Sequence, residues 1–148
     1  MSKLEVKIKK VLKNAVIPEY QTNGAACFDL VAATHKTVPG ATGLLDVYDT
    51  GLAFEIPEGH VGLIYPRSSV TSKTTLTLGN SVGVIDSDYR GTVSFQFRQA
   101  NPKVRREYKV GDRVGQMMII PIPSVQLVEV GELSDTLRGD GGYGSTGK

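Results

Sequence analysis

The chain has 148 residues, 40% of them hydrophobic, with 17 basic against 15 acidic side chains and a net charge of +2. That length suits one domain with a real core and leaves no room for a second. The balanced charge advertises no nucleic-acid or membrane surface, and a single cysteine excludes an internal disulfide or a multi-cysteine metal site.

Met1–Lys10 alternates charged and aliphatic residues and shows no targeting pattern. No apolar run is long enough to span a membrane, so a soluble, cytoplasmic protein is expected. Leu4, Val6 and Ile8 against Glu5, Lys7 and Lys9 give the period-two pattern of a half-buried strand. Pro18 and Asn23-Gly24 mark turns. Ala25–Ala33 gathers small residues around Asp29, with Cys27 expected to pack as a small apolar group. Pro39-Gly40 and Gly43 turn the chain into strands at Leu44-Leu45 and Leu52–Ile56, and Pro57-Glu58-Gly59 turns it again. His60–Tyr65 reads as a buried strand closed by Pro66, and Ser68–Lys73 suits one helical turn. Thr75–Leu78 is a strand. Thr92–Arg98 places Val93, Phe95 and Phe97 on one face. Arg113–Ile120 is an apolar strand ended by Pro121 and Pro123, and Val125–Val130 is expected to be the last strand. His35 and His60 lack ligand spacing and read as surface or satisfied structural residues. No window keeps a helical period. Short strands with regular turn signals argue a sandwich or barrel-like all-β domain.

The stretch Leu78–Val93 is built unlike a core strand. Gly79 and Gly83 let backbone approach something flat, and Val82, Val84 and Ile85 are stiff. Asp86, Asp88, Tyr89 and Arg90 crowd chemistry into five positions, and Gly91 turns the chain out. A β-hairpin of this kind can hold a small planar molecule, or it can be a hairpin with a polar loop. The end of the chain, Arg138–Lys148, has the composition of a flexible tail. It spells both G-x-G-x-x-G and G-x-x-x-x-G-K, but each of those motifs needs a following helix. An arginine, two hydroxyls and glycine-freed N–H groups can still wrap a polyphosphate, with Tyr143 able to stack on a ring.

Five segments resemble the motifs of the homotrimeric dUTPases in that family's order. They are Ala25–Leu30, Pro66–Val70, Gly79–Gly91, Gly111–Ile119 and Arg138–Gly147, spread over nearly the whole chain. Cys27 stands where glycine is usual, and Tyr143 where phenylalanine is common. The resemblance implies an all-β, jelly-roll-like domain (a β-clip) over residues 1–137, with at most one short helical turn. Residues 138–148 would be a tail closing over a neighbouring subunit's site. It implies a homotrimer that hydrolyses dUTP to dUMP and pyrophosphate with Mg²⁺.

On that resemblance Asp86 is the general base, because an ordinary carboxylate is ionised at neutral pH. Arg67, Ser68 and Ser69 would grip the inner phosphates, and Arg138, Gly144, Ser145 and Thr146 the outer ones. Gln116 would hold the water or the α-phosphate, and Asp29 would meet Mg²⁺ through a water. Asn80 and the backbone of Gly83, Val84 and Ile85 would read uracil, Tyr89 would exclude a 2′-hydroxyl, and Asp88 would make a structural contact or salt bridge. A dCTP deaminase, a nucleotide-sensing regulator and a purely structural β trimer are the rival readings. The first would need an extra acid–base apparatus, and the second a partner arm that Pro121–Arg138 does not supply.

Overall fold

The alternation at Thr92–Gln99 (β8) sets the centre of the molecule. Val93, Phe95 and Phe97 are buried on one face, while Gln96 and Arg98 stay exposed on the other. The computed structural model describes residues 3–41, 43–101 and 103–143. Among these, nine strands form two antiparallel sheets around a single apolar cluster.

The first sheet is organised by a 13-residue strand, Gly43–Glu55 (β4), which pairs along one side with β8. Its other side is shared. Thr34–Gly40 (β3) covers the first half and Lys7–Lys10 (β1) covers the second. Leu76–Leu78 (β6) adds to the far side of β8. The bend that lets β4 serve two neighbours lies between Asp49 and Ala53. Gly51 has φ +65°, which costs glycine little, and its N–H is held by Asp49 Oδ1 at 2.6 Å. The second sheet runs Phe28–Val31 (β2), Arg113–Pro121 (β9), His60–Tyr65 (β5), Gly83–Ile85 (β7).

Leu30, Tyr48, Leu52, Phe95, Phe97, Val114 and Met117 are fully buried between the sheets. Each such aliphatic or phenylalanine side chain contributes about 1.5–3 kcal/mol by leaving water. Gly115 faces the ring of Phe95, and a Cβ there would overlap it.

The all-β class and the single helical turn, Val70–Lys73 (α1), agree with the sequence reading. Three expectations need correction. Leu44-Leu45 and Leu52–Ile56 are not separate strands; β4 joins all but Ile56, and β3 pairs with it although its Lys36, Thr37 and Pro39 hide the pattern. Leu78–Val93 is not a hairpin, because β7 pairs with β5 and β8 pairs with β4 and β6. Val125–Val130 is not a strand. Its side chains are exposed, with Leu127 92% accessible, and within one chain no strand edge is paired with it.

Candidate active site

Sheet register assembles the first half of the site. Asp29 on β2 lies opposite Gln116 on β9, and Gln116 lies opposite Tyr65 at the end of β5. The chain leaves β5 through Pro66 and turns into α1 by way of Arg67, Ser68 and Ser69. Gln116 donates from Nε2 to the Pro66 carbonyl at 2.9 Å, which ties this corner to the middle of the sheet. Ser69 is the N-cap of α1, yet its hydroxyl makes no capping bond. Ser68 is exposed. Both hydroxyls are therefore available to a ligand.

Asp29 is held between two arginines. Arg67 Nε lies 3.4 Å from Oδ1 and Arg113 Nη1 lies 3.1 Å from Oδ2. Arg113 escaped the sequence reading, although it sits inside the Gly111–Ile119 segment. In the sheet Arg113 lies opposite Val31, two residues along from Asp29, and its side chain reaches across to the Asp29 carboxylate. Two cations around one carboxylate leave a net positive corner, suited to phosphate. Such a corner does not hold a bare Mg²⁺ by itself. It suits a magnesium ion that arrives with a polyphosphate and keeps its waters, since Mg²⁺ dehydrates reluctantly. The cluster of His35, Asp46 and Glu107 offers three ligand atoms close together. Arg105 Nη2 already lies 2.6 Å from Asp46, however, so a cation occupies that carboxylate. Beside Asp29, burial and then the Asp29 carboxylate push the Cys27 thiol up, so it sits there uncharged, as expected of a small packing group.

The second half of the site surrounds β7. This strand is the edge of its sheet, with β5 as its one neighbour among the described residues. Alternate N–H and C=O groups of an edge strand point away from the sheet, unpaired. Gly83 is buried against Ile64, where a Cβ would overlap the isoleucine, and Asn80 Nδ2 lies near the same spot. The glycines thus allow close approach of this chain's own strands, Gly79 to β8 and Gly83 to β5, rather than of a flat ligand. Val84 is exposed and Ile85 is half-buried. Asp86 is exposed just beyond β7, and its carbonyl accepts the Tyr89 N–H at 3.2 Å to close a turn. Arg90 pins that turn by donating to the Ser87 and Tyr89 carbonyls. The Tyr89 ring folds over Gly91, its hydroxyl donates to Thr92 O at 3.2 Å, and 45% of it is accessible. Asp88 forms no ion pair among the described residues, so of the structural contact or salt bridge expected of it the salt bridge is not made.

The two halves lie apart. β5 and β7 are antiparallel, with Gly62 opposite Ile85 and Ile64 opposite Gly83. Continued by one residue, that register sets Asp86 level with Val61, near the His60 end of β5, while Arg67 follows its Tyr65 end. Six strand steps separate these points, roughly 20 Å. They also line different hollows. Asp86 joins Glu58, His60 and Arg90 around one of about 850 Å³, and Arg67, Ser69 and Arg113 line another of about 370 Å³. Arg138 and Tyr143 join neither. Arg138 donates locally to Gly141 O at 2.9 Å, and Tyr143 is fully exposed. Gly144, Ser145 and Thr146 lie outside the described residues.

The dUTPase family model matches residues 13–147. The chain belongs to the dUTPase family. It is similar to the deoxyuridine 5′-triphosphate nucleotidohydrolase of Nautilia profundicola, 43% identical, with 98% of this chain and 100% of that protein covered. Among solved structures it resembles the Staphylococcus bacteriophage 80alpha dUTPase with dUpNHpp. The TM-score there is 0.80 at 30% identity, over 99% of this chain and 100% of that one. It also resembles a variant dUTPase from phage phi11 of S. aureus that coordinates a structural Mg(II) ion. That match has a TM-score of 0.72 at 26% identity and covers 87% and 98% of the two chains. As a dUTPase, the chain is a hydrolase of nucleotide metabolism with the β-rich fold of its relatives. No helix among the described residues of this dUTPase is long and apolar enough to cross a membrane.

Proposed function

We infer that this chain hydrolyses dUTP to dUMP and pyrophosphate, lowering dUTP and supplying dUMP for dTTP synthesis. The observation that carries the reading is the pairing of two built surfaces in a dUTPase-family chain. One is an arginine–glutamine–serine corner of net positive charge at Asp29, Arg67, Ser69, Arg113 and Gln116. The other is an open strand edge with an exposed carboxylate and ring at Gly83–Tyr89.

Asp86 takes a proton from water as the water oxygen bonds to the α-phosphorus. The bond from that phosphorus to the bridging oxygen breaks, and the electron pair leaves with pyrophosphate. Arg67, Ser68, Ser69 and Gln116 hold the phosphates and oppose the charge that develops on them. Mg²⁺ bound with the substrate would supply further neutralisation of the triphosphate, and Asp29 is the residue that would hold it, through a water. The unpaired edge of β7 at Gly83, Val84 and Ile85 matches the alternating acceptors and donor of uracil, with Asn80 beside it. Cytosine's amino group would face an N–H donor there and leave it unpaired. Tyr89 beneath the sugar leaves no room for a 2′-hydroxyl.

The working unit is a homotrimer. The base and the phosphate corner stand at opposite ends of β5, so one site draws them from different chains. The exposed apolar residues Val125, Leu127, Val128, Leu133 and Leu137 find cover on a neighbour. Residues 1–137 form the body. The segment 138–148 closes over a neighbouring site, bringing Arg138, Tyr143, Gly144, Ser145 and Thr146 to the phosphates and the base.

The test is a screen of nucleoside triphosphates for pyrophosphate release. dUTP should exceed dTTP, which adds a methyl group, by roughly 10–200-fold in kcat/KM, and dCTP and UTP by at least as much. Comparable rates on dCTP or UTP would remove the base-reading assignment, and ammonia released from dCTP would replace hydrolysis with deamination.

A further inference from the structure

The chain passes from the first sheet to the second between β6 and β7, and only Gly79–Val82 make the crossing. Both ends of this corner are fixed. Gly79 donates its N–H to the Gln96 carbonyl on β8 at 2.8 Å, and Gly83 is buried against Ile64 of β5. The corner closes with two hydrogen bonds in succession. The Ser81 N–H donates to Leu78 O at 3.2 Å, closing a β-turn. The Val82 N–H then donates to Asn80 O at 2.7 Å, across a single residue.

That residue is Ser81, at φ +63°. With its flanking residues bonded to each other, this is the γ-turn of positive φ, the rare and strained hand. Ser81 is the one residue other than glycine with positive φ among the described residues. A Cβ makes this conformation costly. Ser81 is exposed, and neither its hydroxyl nor the Asn80 side-chain amide makes a hydrogen bond among the described residues. No bond of the serine side chain offsets the cost. The strain is held by the two pinned ends, because so short a connection cannot relax without freeing one of them. The corner in turn sets where Asn80 stands. Its Nδ2 lies 3.5 Å from the point a Cβ on Gly83 would occupy, at the head of the open β7 edge.

We infer that Ser81 is a positioning residue for base selection: its strained turn holds the free Asn80 amide in line with the unpaired edge of Gly83–Ile85 before any substrate arrives. The inference rests on the dUTP reading and deepens it. Ser81 does not touch the base; it acts through Asn80. A preset amide and edge offer their hydrogen-bonding groups at one spacing, which uracil matches and cytosine does not. A relaxed corner lets Asn80 swing, and the matched base then has to order it on binding. The mismatched base gains nothing from that order, so its rate does not depend on the corner.

Ser81→Gly relieves the strain and Ser81→Ala keeps it, so the two variants together test this. Thermal melts and kcat/KM on dUTP and on dCTP are measured for the full-length parent and both variants. Ser81→Gly should melt about 2 °C higher, since glycine takes positive φ without the Cβ penalty. Its kcat/KM on dUTP should fall about fivefold, the scale of leaving one residue's backbone unordered, while its rate on dCTP holds. Selectivity narrows by the same factor. Ser81→Ala should match the parent in melting temperature and in both rates. A Ser81→Gly protein with the parent's selectivity overturns the inference. So does an equal loss on dUTP and dCTP, which would mark general damage to the site. A Ser81→Ala protein that loses selectivity as Ser81→Gly does would make the hydroxyl responsible and overturn it too. An unchanged or lower melting temperature in Ser81→Gly removes the strain on which the inference stands. The dUTP reading is scored on the parent alone, so its failure appears there, whereas a failure of this one appears only in the variants.

Discussion

Asp46 is fully buried on β4 and carries four partners. Arg105, His35, Thr37 and Gln99 donate to it at 2.6, 3.0, 3.0 and 2.9 Å. A carboxylate only accepts, so His35 presents its Nε2 proton. Burial pushes this carboxyl up, but the bonds from Gln99, His35 and Thr37 and the charge of Arg105 outweigh it and hold it below the ordinary 3.8. A depressed folded-state value means stability that is complete above the unfolded value and is lost as pH falls through the folded one. Asp46→Asn should therefore lower stability at pH 7 by about 2 kcal/mol, through lost charge-assisted bonds. It should also flatten the acid limb below about pH 4. Urea midpoints at pH 7, 4 and 3 decide it; parallel acid slopes in parent and variant would remove the assignment. Asp86 is the contrasting case, an exposed acid with water at hand. Asp86→Asn should keep dUTP binding and lose roughly 10²–10⁴ in kcat, the usual worth of a general base. Solvent ¹⁸O should appear in dUMP; label found only in pyrophosphate would show attack at another phosphorus.

At the scale of elements, β7 and the C-terminal arm answer to different forces. β7 is three residues long and is held by β5 and by the fit of Gly83 against Ile64. Its short, stiff edge suits recognition. Among the described residues the arm after Pro121 has no ladder of its own, which explains why the period-two pattern at Val125–Val130 misled. Alternation records which face seeks cover, not which chain supplies it. Residues 138–143 contribute nothing to the core cluster. A chain ending at Leu137 should therefore melt within a few degrees of the parent, yet lose most of its dUTP turnover through missing phosphate contacts and stacking by Tyr143. Thermal melts with steady-state rates measure both, and turnover at the parent rate would end the closing-tail proposal.

Across the whole molecule, the roughly 20 Å between Asp86 and Arg67 along β5 leads to a complementation experiment. Chains carrying Asp86→Asn and chains carrying Arg67→Ala, each inactive alone, are co-refolded at equal ratio. A working site needs its base from an Arg67→Ala chain and its arginine from an Asp86→Asn chain. Random assembly of a closed cyclic trimer supplies that at about a quarter of sites. Activity should rise to about a quarter of the parent value. A mixture as inactive as its parts, with mixed trimers confirmed by native mass spectrometry, would mean that each chain builds its own site. The amino-acid sequence by itself determined the β class, the strands at β5, β8 and β9, the helical turn and the types of residue in the site. Those depend on period, turn chemistry and side-chain chemistry, all local properties. Tertiary structure alone decided that Arg113 joins Arg67 on Asp29, that Tyr108 lacks a partner, that β3 lies along β4, and that β7 and β8 part company. The strand pairings depend on register between strands distant in sequence, which is settled by the packing of two faces that no single segment contains, and the surroundings of Asp29 and Tyr108 depend on side chains that folding brings together from distant segments.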